Sequence, residues 1–164
     1  MTTKESAQET IQKLGLHPHP EGGYYAETFR SKETVTLPDG RVRSAGTAIY
    51  YLLPEGSISA LHRVAADEAW HHYSGASLEL LTISPLGDLE HILLGHDLAL
   101  GERPQHVVPA GSWQGARPVG PGFALVGCTV APGFDFSDFE MPPRAALLKI
   151  FPDHRERILE FTNP

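Results

Sequence analysis

The chain has 164 residues, 41% of them hydrophobic, with 16 Gly, 14 Pro and one Cys. That length fits a single domain spanning 1–164 with one core, and the glycine and proline content favours many short strands over long helices. Thirteen basic residues against 20 acidic ones leave a formal charge of -7, which excludes nucleic acid as an expected partner, and a lone cysteine excludes an intrachain disulfide or a cysteine-rich zinc site.

Residues 2–14 read as one short helix: Ser6 and Glu9 have capping-box spacing, Ala7, Ile11 and Leu14 recur at helical intervals, and Gly15 suits the C-terminal cap. The run HPHPEGGYYAETFRS follows, a loop feeding a strand from Tyr24. His17 and His19 both precede proline, and they are read as solvated loop histidines rather than metal ligands. Pro38-Asp39-Gly40 between Thr34–Leu37 and Arg41–Arg43 is a hairpin signal, and Thr47–Leu53 (TAIYYLL) is a strand covered on both sides.

The stretch SALHRVAADEAWHHYSG, Ser59 to Gly75, places His62, Glu68, His71 and His72 close together. Read as a hairpin turning at Ala65–Asp67, its period of two puts His62 and Val64 on one face and Glu68 and Trp70 on the facing one, so an imidazole and a carboxylate oppose each other. Ser77–Ile83 and Leu89–Leu94 form a further pair in which His91 has a structural role. Gln105–Val108, Ser112–Arg117 and Phe123–Val130 are separate strands, with Cys128 an inert packed thiol. Ala145–Ile150 reads as a strand, followed by a short helix from Asp153. No run of about 18 apolar residues and no basic-then-apolar leader occurs, so no membrane partner and a cytoplasmic location are expected.

About ten strands of this kind suggest an all-β sandwich or jelly-roll barrel. Two motifs resemble those of the cupins. His62, Glu68 and Gly75 fall at the spacing of the first motif, with Val64 where a second histidine stands in the family. Pro109 and Gly111 match the second motif, with Gln114 in place of its histidine. Five runs in order, HPEGGYYAETFRS, TAIYYLL, HRVAADEAWHHYSG, VPAGSWQGA and VAPGFDFSDFE, are similar to the cupin-5 group, a domain-of-unknown-function subfamily. The resemblance implies a double-stranded β-helix barrel with a short N-terminal helix, a homodimer, an interior pocket, and a fold similar to that of sugar-nucleotide 3,5-epimerases.

Three functional readings follow, each placing a small molecule inside the barrel. In the first, a small polar, carbohydrate-like substrate is isomerised or epimerised, with His62 the base, Glu68 its orienting carboxylate, and an acid among Tyr50, Tyr51 and Tyr73. Tyr50, Trp70, His72 and Gln114 are the expected ligand contacts. In the second, the barrel is a non-catalytic ligand-binding module with aromatic walls. In the third, His62, Glu68 and Gln114 hold a divalent metal weakly, because a neutral amide is a poor donor and Val64 ligates nothing. Against all three, His62 and Glu68 are a buried pair that only fixes the hairpin.

Overall fold

The computed structural model describes residues 5–164. Helix α1 (Ala7–Leu14) opens with the predicted capping box: the Glu9 amide donates to Ser6 Oγ at 3.2 Å, and the Ser6 amide donates back to Glu9 Oε2 at 2.8 Å. Gly15 closes it in the left-handed region at φ 64°. Positions 2–4 of the predicted helix lie outside the described residues.

Ten strands follow: β1 (His17–Pro18), β2 (Tyr24–Arg30), β3 (Thr34–Thr36), β4 (Val42–Ser44), β5 (Thr47–Leu53), β6 (Ser59–Arg63), β7 (Asp67–Ile83), β8 (Leu89–Leu94), β9 (Gln105–Val108) and β10 (Trp113–Ala131). β3 and β4 form the predicted hairpin around Pro-Asp-Gly. The architecture is a mostly β jelly roll, and two strands organise it: β7 with 17 residues and β10 with 19. The sequence divides each of them into two separate strands, and the structure joins the halves. They run antiparallel side by side, and each takes part in two layers. In one layer the order is β1-β2-β5, then the second half of β10, the first half of β7, and β9. In the other it is β6, the first half of β10, the second half of β7, and β8.

The supposed hairpin of His62 and Glu68 is therefore corrected: β6 pairs with β10, as β7 does, and the two are not ladder partners. Their connection crosses between layers, and this puts His62 and Glu68 on facing walls rather than on adjacent strands. The long strands bend where the register shifts between Val119 and Ala124. Gly75 sits at that bend with φ 86°, and a Cβ there would lie 2.1 Å from the Phe123 carbonyl oxygen. Only glycine meets both the backbone angle and the close approach.

Alternation sorts the side chains of both long strands. Trp70, Leu78 and Leu80 of β7 and Ala116, Ala124, Val126 and Cys128 of β10 join Tyr51 and Leu53 inside the barrel. Leu81, Ile83 and Trp113 point outward, where α2 (Arg144–Ile150) and α3 (Arg155–Glu160) cover them with Leu147 and Ile158, alongside Phe161. This accounts for the apolar run of Leu80–Ile83, which is buried on both faces.

Residues 145–150, expected as a strand, are helical. A short apolar run does not distinguish the two states, and Arg-Ala-Ala-Leu-Leu-Lys consists of strong helix formers. The C-terminal segment is tied down at buried Glu79. Burial would raise its pKa, but Arg157 and Arg117 hold the carboxyl below its usual range. His91 Nε2 is also 2.8 Å from Glu79, consistent with its structural role.

The bend yields a contrast that measures its importance. Gly75→Ala is expected to cost on the order of 3–4 kcal/mol. Gly120→Ala, also at positive φ but with nothing within 4 Å of its Cβ position, should cost about 1–2 kcal/mol. Urea unfolding of both variants checks the difference, and equal losses would contradict a steric role for Gly75.

Candidate functional site

His62 is the fourth residue of β6 and faces the interior, almost fully buried. Its ring stacks on Phe139 with centroids 5.3 Å apart. Nδ1 is 2.8 Å from the Ala60 carbonyl oxygen, and Nε2 is 3.0 Å from Glu21 Oε2. A carbonyl and a carboxylate only accept hydrogen bonds, so both ring nitrogens must donate. His62 is therefore an imidazolium. Burial by itself would lower its pKa, but the Glu21 carboxylate beside it lifts it to about 9. For Glu21 the opposition runs the other way: burial pushes up, and the charge and hydrogen bond of His62 bring the carboxyl below its ordinary value.

Glu21 is the partner that sequence reasoning missed, since it assigned the carboxylate role to Glu68. Glu21 lies 41 positions before His62 in the Pro20-Glu21-Gly22-Gly23 loop. That loop is folded onto the barrel by backbone contacts. The Ala60 amide donates to the Glu21 carbonyl at 2.7 Å, and the Tyr51 hydroxyl donates to the Gly22 carbonyl at 2.6 Å. Gly22 has φ 111°, and a Cβ there would lie 2.1 Å from the Ile58 oxygen. An acidic residue against a glycine pair that permits such an approach was the available signal.

Glu68 occupies the facing wall on β7. The Gln114 amide donates to its Oε2 at 2.5 Å, and Gln114 Oε1 accepts the Trp70 indole N–H at 2.7 Å. Because indole only donates, Trp70 fixes which way the amide points. Burial raises the Glu68 pKa, with His62 opposing and Glu21 adding to it, and the result is about 7. The site thus holds two buried carboxyl groups around one imidazolium, and only one of those carboxyls is ion-paired.

These groups line a cavity of about 560 Å³. Phe134, Phe136, Phe139 and Tyr25 form its aromatic wall, while Glu27, Arg30 and Asp135 bring charge to it. The aromatic segment is held at both ends. Arg43 Nε donates to Asp138 at 2.8 Å, and Arg63 and Glu140 exchange backbone hydrogen bonds. His19 is a correction: it is buried and lines the cavity, where its Nδ1 accepts the Glu21 amide at 3.2 Å, so it is not a solvated loop residue.

The other expected ligand contacts are placed elsewhere. Tyr50 packs edge-on against Tyr73 at 6.2 Å, on the opposite side of β5 from the cavity-lining Ile49. Trp70 is buried in the core. His72 is buried outside this cavity, with Nε2 2.8 Å from the Ala76 carbonyl. Tyr51 spends its hydroxyl on Gly22, so the tyrosine on the cavity wall is Tyr25. Cys128 is buried, which drives its thiol pKa well up.

A metal held by His62, Glu68 and Gln114 does not fit this arrangement. Both His62 nitrogens face acceptors, the Gln114 oxygen is occupied by the Trp70 N–H, and the Gln114 nitrogen faces Glu68. Among the described residues, no group of three or more His, Cys, Asp or Glu is arranged to hold a metal ion. No helix among them is long and apolar enough to cross a membrane.

Comparison with known proteins agrees with the architecture. Protein SO0799 from Shewanella oneidensis superposes with a TM-score of 0.91 at 42% identity, over 98% of this chain and 99% of that one. Uncharacterized protein YML079W of Saccharomyces cerevisiae is 31% identical over 149 residues, 81% of this chain and 73% of the yeast protein. Oxalate decarboxylase from Bacillus subtilis aligns with a TM-score of 0.57 at 17% identity over 89% of this chain and 37% of that one, a likeness of fold alone. The family model described as Cupin superfamily (DUF985), Cupin_5, matches residues 8–142. With that match and the barrel described above, the chain belongs to the Cupin_5 family of the cupin superfamily.

Proposed function

We propose that the cavity is a metal-independent proton-transfer site, of isomerase or epimerase type, for a small polar molecule with an acidic C–H beside a carbonyl. The observation that carries this reading is the pairing across the cavity of an imidazolium, locked by two acceptors, with a buried carboxyl near neutrality. His62 has no free lone pair with which to act as a base. The proton-accepting role passes to Glu68, whose pKa of about 7 suits transfer in either direction at neutral pH. His62 supplies a fixed positive charge in a water-poor site, where it favours the oxyanion formed as the C–H proton leaves. Gln114 and Trp70 act as positioning residues by holding the Glu68 carboxyl in place.

A carbohydrate-like carbonyl compound is a member of this class. The aromatic wall also supports a binding module without turnover, and one experiment separates the two. The protein is incubated in D₂O with a panel of keto sugars and ketoses, and deuterium uptake at the α-carbon is followed by NMR. Uptake should fall about 10²- to 10⁴-fold in Glu68→Gln. Ligands that shift protein resonances but never exchange would favour the binding module instead.

The state of Glu68 has its own readout. Its folded pKa lies above the ordinary 4.5, so the folded state holds the extra proton between about 4.5 and 7. The stability it contributes is full below 4.5 and is lost as pH rises through about 7. Relative to the parent, Glu68→Gln should therefore gain on the order of 2–3 kcal/mol between pH 5 and pH 8. Denaturant titrations at both pH values check this, and a pH-independent difference would contradict it.

We also propose a homodimer through β2. Its outer edge is covered by β1 only at Tyr24 and Tyr25, and Phe29 beyond that is exposed. Light scattering at micromolar concentration should give twice the chain mass, whereas a monomer would overturn the proposal.

A further inference from the structure

The charges that line the cavity do not balance. Four carboxyl groups face it, those of Glu21, Glu27, Glu68 and Asp135, against two established cations, His62 and Arg30. Both cations are already engaged. His62 is bound to Glu21, and Arg30 clasps both oxygens of Glu27 at 2.8 Å while its Nη2 also donates to the Phe134 carbonyl at 3.0 Å. His19 accepts a hydrogen bond at Nδ1 and is neutral, and His17 stands against the Tyr25 ring at 4.6 Å. Neither Glu68 nor Asp135 has an ion-pair partner among the residues lining the cavity; the Ser137 hydrogen bonds and, from outside that lining, Arg43 hold the Asp135 carboxyl below its ordinary range. Gln114 holds one oxygen of Glu68, and Ser137 donates its amide and hydroxyl to Asp135 Oδ1 at 2.9 and 2.6 Å.

The same lining is aromatic. Phe134 and Phe136 meet edge to face at 4.8 Å, and Phe139 lies 5.9 Å from Phe136. Aromatic faces carry negative quadrupole density and attract cations, most strongly where water is scarce. A phosphate or carboxylate would enter a site with surplus negative charge, where the one lining guanidinium is already clasped to Glu27. A positively charged nitrogen would find rings to lie against and carboxyl groups in the same lining.

We infer that the cavity selects small polar molecules carrying a protonated or quaternary nitrogen, seated on Phe134 and Phe136 with Glu68 and Asp135 as counter-charges. This deepens the proton-transfer reading by naming its substrate class: amino-bearing carbonyl compounds or amino sugars, not nucleotide-linked or acidic sugars. The cation would also draw Glu68 toward its ionised, proton-accepting form, so that substrate binding prepares the base.

The test uses the intact protein and isosteric probes: glucosamine, glucose and glucuronate, together with tetramethylammonium, which has no ring hydroxyls. Titration calorimetry or protein-observed NMR should rank glucosamine at least about tenfold tighter than glucose, with glucuronate weakest. Tetramethylammonium should compete with glucosamine. Asp135→Asn and Phe136→Leu alter partly exposed wall residues, and each should weaken glucosamine several-fold more than it weakens glucose. Equal or tighter binding of glucose or glucuronate, or no binding of either cationic probe at tens of millimolar, would overturn the inference. The two proposals fail separately. Cation binding without deuterium exchange on any amino substrate removes the catalytic reading alone, whereas exchange confined to neutral substrates removes the cation preference alone.

Discussion

An imidazole ring with an acceptor at each nitrogen, sealed from water, governs the electrostatics of this barrel's interior. Placing an ion in such surroundings is costly unless a counter-ion and hydrogen bonds compensate, and His62 has both in Glu21 and the Ala60 carbonyl. The position of the Pro20–Gly23 loop follows from that requirement, since it must deliver a carboxylate to within 3.0 Å of the ring. The second carboxyl, Glu68, then has to share the interior with an ion pair already formed. Its raised pKa is the consequence of burial beside a cation that another carboxylate has claimed.

The scaffold meets this need because β7 and β10 each serve two layers. A bend at Gly75, opposite the register shift of β10, turns one pair of long strands into the frame of both walls. Glu68 lies on one side of the bend, and Leu78–Ile83 lie on the other, in the half that packs against the C-terminal helices. The half of β7 that carries Glu68 is thus joined through the backbone to its most heavily buried half. A rigid support of this kind holds side chains more closely than loops alone.

Membership of the cupin superfamily describes this frame and not its use, because one fold hosts many unrelated chemistries. Where metal-binding cupins would place a second histidine, this chain has Val64 on the cavity wall, and at the last ligand position Gln114 is consumed by Trp70 and Glu68. The side chains at those positions form a hydrogen-bonded strut instead of a coordination sphere. The free volume beside them is bounded by phenylalanines and carboxyls.

Much of the frame was legible in the residues. The capping box at Ser6, the hairpin at Pro38–Gly40, the strand Thr47–Leu53 and the inward direction of His62 and Glu68 all rest on short-range rules, in which side-chain direction and turn geometry depend on near neighbours. The barrel itself was legible for the same reason, through turn spacing and ordered motifs. Four features were not legible. The fusion of strands across Gly75, the helix at Arg144–Ile150 and the pairing of β6 with β10 instead of β7 depend on what covers each segment, and cover is a long-range property. The identity of the His62 partner depends on it most strongly. Alternation along a strand selects the face on which a residue lies but not what is folded against that face, so only the tertiary structure brings Glu21, 41 residues away in sequence, to the ring and leaves Glu68 bonded to Gln114.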